Sequence, residues 1–348
     1  MGACRRFPAA MLKLLLERSV PFLPWPLATF VGLAVTPAPA KPNTPKAQLI
    51  ITTDLTTHLS IVISAGFWKV LFAAAVLAWA SPLNQSLALV LDARWAARIA
   101  ARNLLVTWCV GGLWDFLHLS IFSPLHARLA PLKFTPAPVR AGQVPHDAFW
   151  ASCSALVAAA IEVLIWHWWA RGALPLAEVP RWWAHGPTLL WLLALPHLQI
   201  VHFWAVHRVM HRWFTRERRG LAAWVPDVGQ FLYTHVHSLH HLSRDPTAFS
   251  GISMHPVESA LFFSTMPLFA LCGCHPVVIL HAEMYNIVQA MIGHESYDGP
   301  STGGHYHWLH HQLIDCNYGG PFVPLDALFN TAISSEEEFE KKIRGKRE

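Results

Sequence analysis

Fourteen of the chain's 22 histidines fall between His207 and His311, in regular groups. These are His207-Arg-Val-Met-His211, the triplet His237-Ser-Leu-His240-His241, an isolated His294, and a second triplet, His307-Trp-Leu-His310-His311. A spacing of i, i+3, i+4 lays three imidazoles along one side of a helix. Neighbours such as His240 and His241 diverge by about 100° around the axis, so one helix can reach two separate metal ions. Neutral imidazole suits zinc, copper, iron and nickel. Two triplets, one i, i+4 pair and His294 supply nine nitrogens, too many for one ion and the right number for two. One buried histidine is most often a satisfied core residue. Recurrence at metal-ligand spacing is what turns the reading towards coordination.

Other metal chemistries fail on spacing. A zinc metalloprotease helix needs His-Glu-x-x-His with the glutamate as base, and His207-Arg-Val-Met-His211 lacks the acid. Ferritin-type di-iron bundles need Glu-x-x-His on two helices, but Glu217, Glu258, Glu283 and Glu295 have no histidine three residues on. His281-Ala-Glu283 has an i, i+2 spacing, which does not share a helix face. The site is rich in histidine and poor in carboxylate.

These boxes resemble the fatty acid hydroxylase/sterol desaturase superfamily, membrane-bound non-haem di-iron oxygenases. The resemblance runs from about Gly111 to Thr331 and is strongest from His207 onward. It includes Phe231-Leu-Tyr-Thr-His-Val-His-Ser-Leu-His-His241, Ser253-Met-His-Pro-Val-Glu258, Gly293-His294, the last triplet, Asn317-Tyr-Gly and Val323-Pro-Leu-Asp326. It implies two iron ions, O2 as co-substrate, and hydroxylation or desaturation of a lipid held between membrane helices. The metal ligands it implies are His207, His211, His237, His240, His241, His294, His307, His310 and His311. His294 has Ala290 four residues before it and Asp298 four after, so its pair is incomplete, and His255 is the candidate tenth ligand. His235, His305, Glu258 and Asp298 are expected around the ligands rather than among them, while His275 and His281 are expected to be structural.

No flavin or nicotinamide glycine fingerprint occurs, and the His-Pro pairs at 255 and 275 do not continue as a fused cytochrome b5 motif. A separate electron donor is implied: cytochrome b5 with its reductase, or a ferredoxin. Arg216, Arg218 and Arg219 could steer an acidic donor, although plain topogenic charge explains them as well. The Ser-Met-His-Pro-Val-Glu and Gly-His-Glu-Ser-Tyr-Asp elements lean towards sterol-type members, with a fatty acid or other lipid as the alternative. A histidine-lined metal transporter and an inactive lipid-binding scaffold are the readings from other classes.

Something must hold these residues, and composition says what. The 348 residues are 53% hydrophobic and only 14% charged, against about 25% charged for soluble domains. That excludes an ordinary soluble enzyme, a disordered chain and a disulfide-stapled secreted domain. A net charge of +5 is too weak and scattered for nucleic acid. The expected fold is all-α: a multi-pass membrane helical bundle of about four spans with a cytosolic, histidine-rich helical cap. The spans are Leu59–Ala80, Leu104–Phe122, Ala148–Trp169 and Thr188–Val206, each near the ~20 residues a bilayer requires. Ala260–Leu280, interrupted by Pro267, Gly273 and Pro276, is expected as a broken or re-entrant hairpin. Asp115, His118, Glu162, His167, His197 and His202 should face the bundle interior or lie near a span end. Arg208 to Arg219 put the end of the fourth span on the cytosolic side. Arg94, Arg98 and Arg102 then fall on the opposite side, which suggests an interfacial helix over Leu87–Leu104.

Four domains follow: residues 1–58, a lead that is a candidate targeting segment with a Pro-rich linker; 59–206, the transmembrane helices; 207–331, the histidine-box domain with the broken hairpin; and 332–348, a charged tail. The resemblance implies the endoplasmic reticulum with the metal site facing the cytosol, or a plastid membrane if the lead is a targeting segment. The cysteines, with no CxxC pair, read as reduced core residues: Cys109, Cys153, Cys272 and Cys274 all sit in apolar runs.

Overall fold

In the computed structural model the described residues are 85–344, except 121, 124–128, 136, 178–182, 184–185, 215–224, 295, 298–303 and 321–322. The first expected span, the lead, the arginines at 216, 218 and 219, and Asp298 lie outside them. The described residues form helices and turns, with no strand and one isolated antiparallel bridge, Lys133 to Tyr297.

Three long helices come first: α1 Ala93–Leu119, α2 Gln143–Ala170 and α3 Gly186–Met210. Short elements follow: α4 Val228–His235, the 3-10 helices His237–Leu242 and Ala248–Ile252, α5 Pro256–Phe262 and α6 Thr265–Leu271. Then come α7 Pro276–Gly293, α8 Gly304–Leu313 and α9 Glu336–Arg344, with single helical turns left unnumbered. Among the described residues, α2 and α3 are long and apolar enough to cross a membrane. They contain the expected spans Ala148–Trp169 and Thr188–Val206. Leu104–Phe122 falls mostly within α1, which is not one of these two.

Leu87–Leu104 is not a separate interfacial helix. Asp92 caps α1 by accepting from the Arg94 amide, and the helix runs unbroken through Arg94, Arg98 and Arg102. Arg102 turns inward to pair with Glu162 of α2 and Glu283 of α7. That ion cluster gives the arginine a reason to sit within the bundle rather than at an interface.

The apolar run at 260–280 is broken, as its prolines and glycine suggest. His275 caps α7, Pro276 fills the first turn, and Gly273 takes φ +71° just before them, a conformation that favours glycine. Fourteen of the 18 residues of α7 are buried, which makes it the core helix. Around it pack α1, α2, α3 and the 3-10 helix Ala248–Ile252. Of the polar residues expected inside, Asp115, His118, Glu162 and His167 are buried, while His197 and His202 are half-buried. Of the four cysteines expected in the core only Cys274 is buried. Cys153 is half-buried, and Cys109 and Cys272 point outward from helices whose outer faces are themselves apolar.

Candidate metal centre

The elements carrying histidine converge at one end of the bundle. The last turn of α3 supplies His207, and His211 follows just beyond the helix; the 3-10 helix supplies His237, His240 and His241. The C-cap of α7 supplies His294, and α8 supplies His307, His310 and His311. They sort into two buried groups whose candidate ligand atoms all lie within 4.8 Å of one another: His207, His211, His237, His241 and His310, and His240, His294, His307 and His311.

Both triplets are sorted in the same way. Each triplet gives its i, i+4 pair to one group and its middle histidine to the other. His237 and His241 go to the five-membered group and His240 to the four-membered one; His307 and His311 go to the four-membered group and His310 to the five-membered one. The adjacent pairs are thereby split. The first triplet does this on a 3-10 helix, where i and i+3 eclipse, and the His237 and His240 rings stack at 5.4 Å.

Five rings have the far nitrogen pinned. Nδ1 of His207 lies 2.5 Å from the Tyr318 carbonyl, that of His310 2.6 Å from Cys316, that of His294 2.7 Å from Ala290, and that of His240 3.3 Å from Ser253. Nδ1 of His237 lies 2.7 Å from Glu258 Oε1. A carbonyl only accepts, so Nδ1 of His207, His310, His294 and His240 carries the hydrogen and Nε2 of these four rings is left as a lone pair. Burial, with the charge of neighbouring imidazoles adding to it for most, pushes His211, His237, His241, His294, His307, His310 and His311 well below the usual histidine range. Burial takes His240 down to about 4. These rings are therefore neutral at pH 7.

Yet His294 Nε2 faces His240 Nε2 at 3.2 Å. With a lone pair on each atom, that pair cannot form a hydrogen bond. His311 is buried with neither ring nitrogen hydrogen-bonded. Such packing is costly alone and favourable around a cation, so the residues present fit two metal ions held by five and four nitrogens.

The remaining candidates sit elsewhere. His255 is not brought into either group. It is half-buried at the N-cap of α5, and its Nδ1 accepts from the Val257 amide at 3.2 Å. That leaves the hydrogen on Nε2, the tautomer that cannot ligate through Nε2. His235 is exposed and packs on Phe231 at 4.7 Å, and His305 lies between Phe134 and Trp308. Glu258 does reach one of the nine histidines, His237. His275 caps α7 and His281 is buried in that helix.

Sequence reasoning missed the carbonyls of Cys316, Tyr318, Ser253 and Ala290, because a backbone oxygen has no residue signature. It also missed the role of Asp326. This buried carboxylate accepts from the Tyr318 and Gly319 amides, Trp204 Nε1 and Thr331 Oγ1, and so fixes the turn that holds His207.

Comparison with known proteins matches residues 191–331, the stretch that carries all nine histidines, to the family described as Fatty acid hydroxylase. Residues 191–331 are a fatty acid hydroxylase domain. Its curated relatives belong to the superfamily that the boxes resemble. A very-long-chain aldehyde decarbonylase of Oryza sativa subsp. indica is 26% identical over 174 residues, 46% of this chain and 56% of the relative. A putative methylsterol monooxygenase of Dictyostelium discoideum is 26% identical over 165 residues, 42% of this chain and 52% of the relative. Cholesterol 25-hydroxylase of Rattus norvegicus is 30% identical over 114 residues, 29% and 38% of the two chains. The chain thus spans between 38% and 56% of the length of these relatives. No solved structure matches.

Proposed function

We propose that the chain is a membrane-bound non-haem di-iron oxidoreductase. It uses O2 and an external electron donor to hydroxylate or desaturate a lipid, with a sterol as the leading substrate class. The carrying observation is the gathering of nine buried imidazoles into two adjoining groups, with the lone pairs of His240 and His294 facing each other, within the fatty acid hydroxylase domain. The two irons supply O2 activation when bound. The chain orients five of the nine imidazoles through Tyr318, Cys316, Ser253, Ala290 and Glu258, and buries all nine away from bulk water.

Membrane integration is supported by α2 and α3 and by outward apolar side chains: Leu105, Trp108 and Phe116 on α1, and Leu190, Leu193 and Val201 on α3. With Arg208 and Arg212 beside the histidine end, the positive-inside tendency puts the metal centre on the cytosolic face, as in an endoplasmic reticulum enzyme. Cytochrome b5 with its reductase, or a ferredoxin, is the donor class. A sterol substrate is supported by relatives named as methylsterol monooxygenases and cholesterol 25-hydroxylase. The aldehyde decarbonylases among the relatives favour a second reading, a very-long-chain aliphatic substrate. A lipid and sterol profile of cells with and without the chain separates them, because one lipid class should change. Tightly bound iron at about two per chain supports the oxygenase over a transporter, whose metal would exchange. A chain without tightly held iron ends the proposal.

A further inference from the structure

Asp147, in the first turns of α2, is fully buried and receives three serine hydroxyls from a segment about 100 residues further on. Ser243 Oγ donates at 2.7 Å to Oδ1 and 2.8 Å to Oδ2, Ser250 Oγ at 2.6 Å to Oδ2, and Ser253 Oγ at 3.0 Å to Oδ1. His146 Nδ1 lies 3.1 Å from Oδ1. All three serines are fully buried. Each hydroxyl has one hydrogen, and Asp147 takes all three, so it grips the segment Ser243–Ser253 at both ends and in the middle.

That segment bears on one histidine group in two ways. The carbonyl of Ser253 receives Nδ1 of His240. Gly251 backs onto Ala290 so closely that a Cβ would meet the Ala290 carbonyl oxygen at 2.4 Å. That oxygen receives Nδ1 of His294. His240 and His294 are two of the four ligands in the smaller group. The larger group is braced from elsewhere, by Glu258, Tyr318 and Cys316.

We infer that Asp147 is the positioning residue of the four-histidine group: through Ser253 and the Ser250–Gly251 turn it sets the orientation of His240 and His294. The inference rests on the di-iron reading. Asp147→Asn keeps the volume, but it replaces one acceptor oxygen with a donor nitrogen facing serine hydroxyls, and the turn must move. The smaller group should then lose its metal while the larger one keeps its own.

The test uses the full chain purified without oxygen and loaded with 57Fe(II), reading iron content and the Mössbauer spectrum. The wild type should hold about two irons in two environments, and Asp147→Asn about one, with one environment missing and helical content unchanged. Loss of an outer partner costs about 10–100-fold in metal affinity. Ser253→Ala removes one hydroxyl and no charge. It should weaken the same environment by less, and it decides the matter if Asp147→Asn does not accumulate. Glu258→Gln should perturb the other environment. Two irons with both signals unchanged in Asp147→Asn and Ser253→Ala overturn the inference alone, as does equal loss of both signals in a variant that keeps its helicity. A wild type with fewer than two irons overturns the di-iron reading itself.

Discussion

Two regions of this bundle bury polar groups, and they solve the problem in opposite ways. Deep between α1, α2 and α7, Arg102 pairs with Glu162 and Glu283, Asn103 donates to Glu283 Oε1 at 2.5 Å, and Trp166 donates to Glu162 Oε1 at 2.7 Å. There the Arg102 cation and the Asn103 and Trp166 donors face the two carboxyls. At the histidine end, about 16 Å along α7 by the rise from residue 283 to 294, the Nε2 lone pairs of His240 and His294 face each other. The first cluster holds its cation within the chain. The second has no cation of its own, which is the physical difference between a structural polar cluster and a candidate metal centre. It also explains why low charge content gives no warning of either: both clusters are small and wholly inside.

The largest expected effect separates the two regions by function. His240→Ala and His310→Ala should each abolish activity while protein in the membrane fraction stays near wild type. Each removes one imidazole from a group and leaves the apolar packing of α1, α2, α3 and α7 alone. Equal loss of protein and activity would put these residues with Arg102, as parts of the fold.

Arg102→Met probes the other region with the opposite signature. It leaves two fully buried carboxylates with no cation, and breaking a buried pair in this way costs about 3–5 kcal/mol. The yield of folded protein and the unfolding temperature should fall sharply. Iron per surviving chain should not. A variant that folds normally but lacks iron would break the comparison, because the two clusters would then be coupled.

How much of this was visible in the sequence depends on separation along the chain. Nine candidate ligands stood out because i, i+3 and i+4 are local, and the split of His240 from His241 follows from the angle between adjacent residues. Nothing local links Arg102 to Glu283, 181 residues away. Arg94, Arg98 and Arg102 therefore looked like an interfacial face rather than the start of a long helix whose last arginine turns inward. The orienting groups were hidden for a second reason. Four of the five are main-chain carbonyls, and a backbone oxygen carries no residue identity. The fifth, Glu258, was visible as a side chain near a histidine.

Glu258→Gln should have a smaller and more specific effect than either change above. The amide keeps a carbonyl oxygen for His237 Nδ1–H and changes only the strength of that bond. Iron should stay nearly intact, and turnover should fall by about 10–100-fold. A drop in iron equal to the drop in turnover would make Glu258 an anchor for the metal rather than a tuner of the ligand.

The smallest effect belongs to His255, and it sharpens the boundary of the metal centre. Sequence reasoning offered His255 as a tenth ligand and treated His275 as structural. The structure gives both the same local geometry. Each precedes Pro-Val at a helix start, has extended backbone (φ −62°, ψ 144° and φ −73°, ψ 146°), and accepts through Nδ1 from the amide two residues on, at 3.2 Å and 3.1 Å. A histidine occupied in this way is an N-cap, satisfying one of the free amides of the first turn. Replacing an N-cap by alanine typically costs about 1 kcal/mol, and asparagine is a good replacement. His255→Ala should therefore lower the unfolding temperature slightly and leave iron and turnover close to wild type, with His255→Asn restoring the lost stability. If His255→Ala instead halves the iron, the ring must leave its cap and reach the four-histidine group. The count of donors at that end would then be five and five.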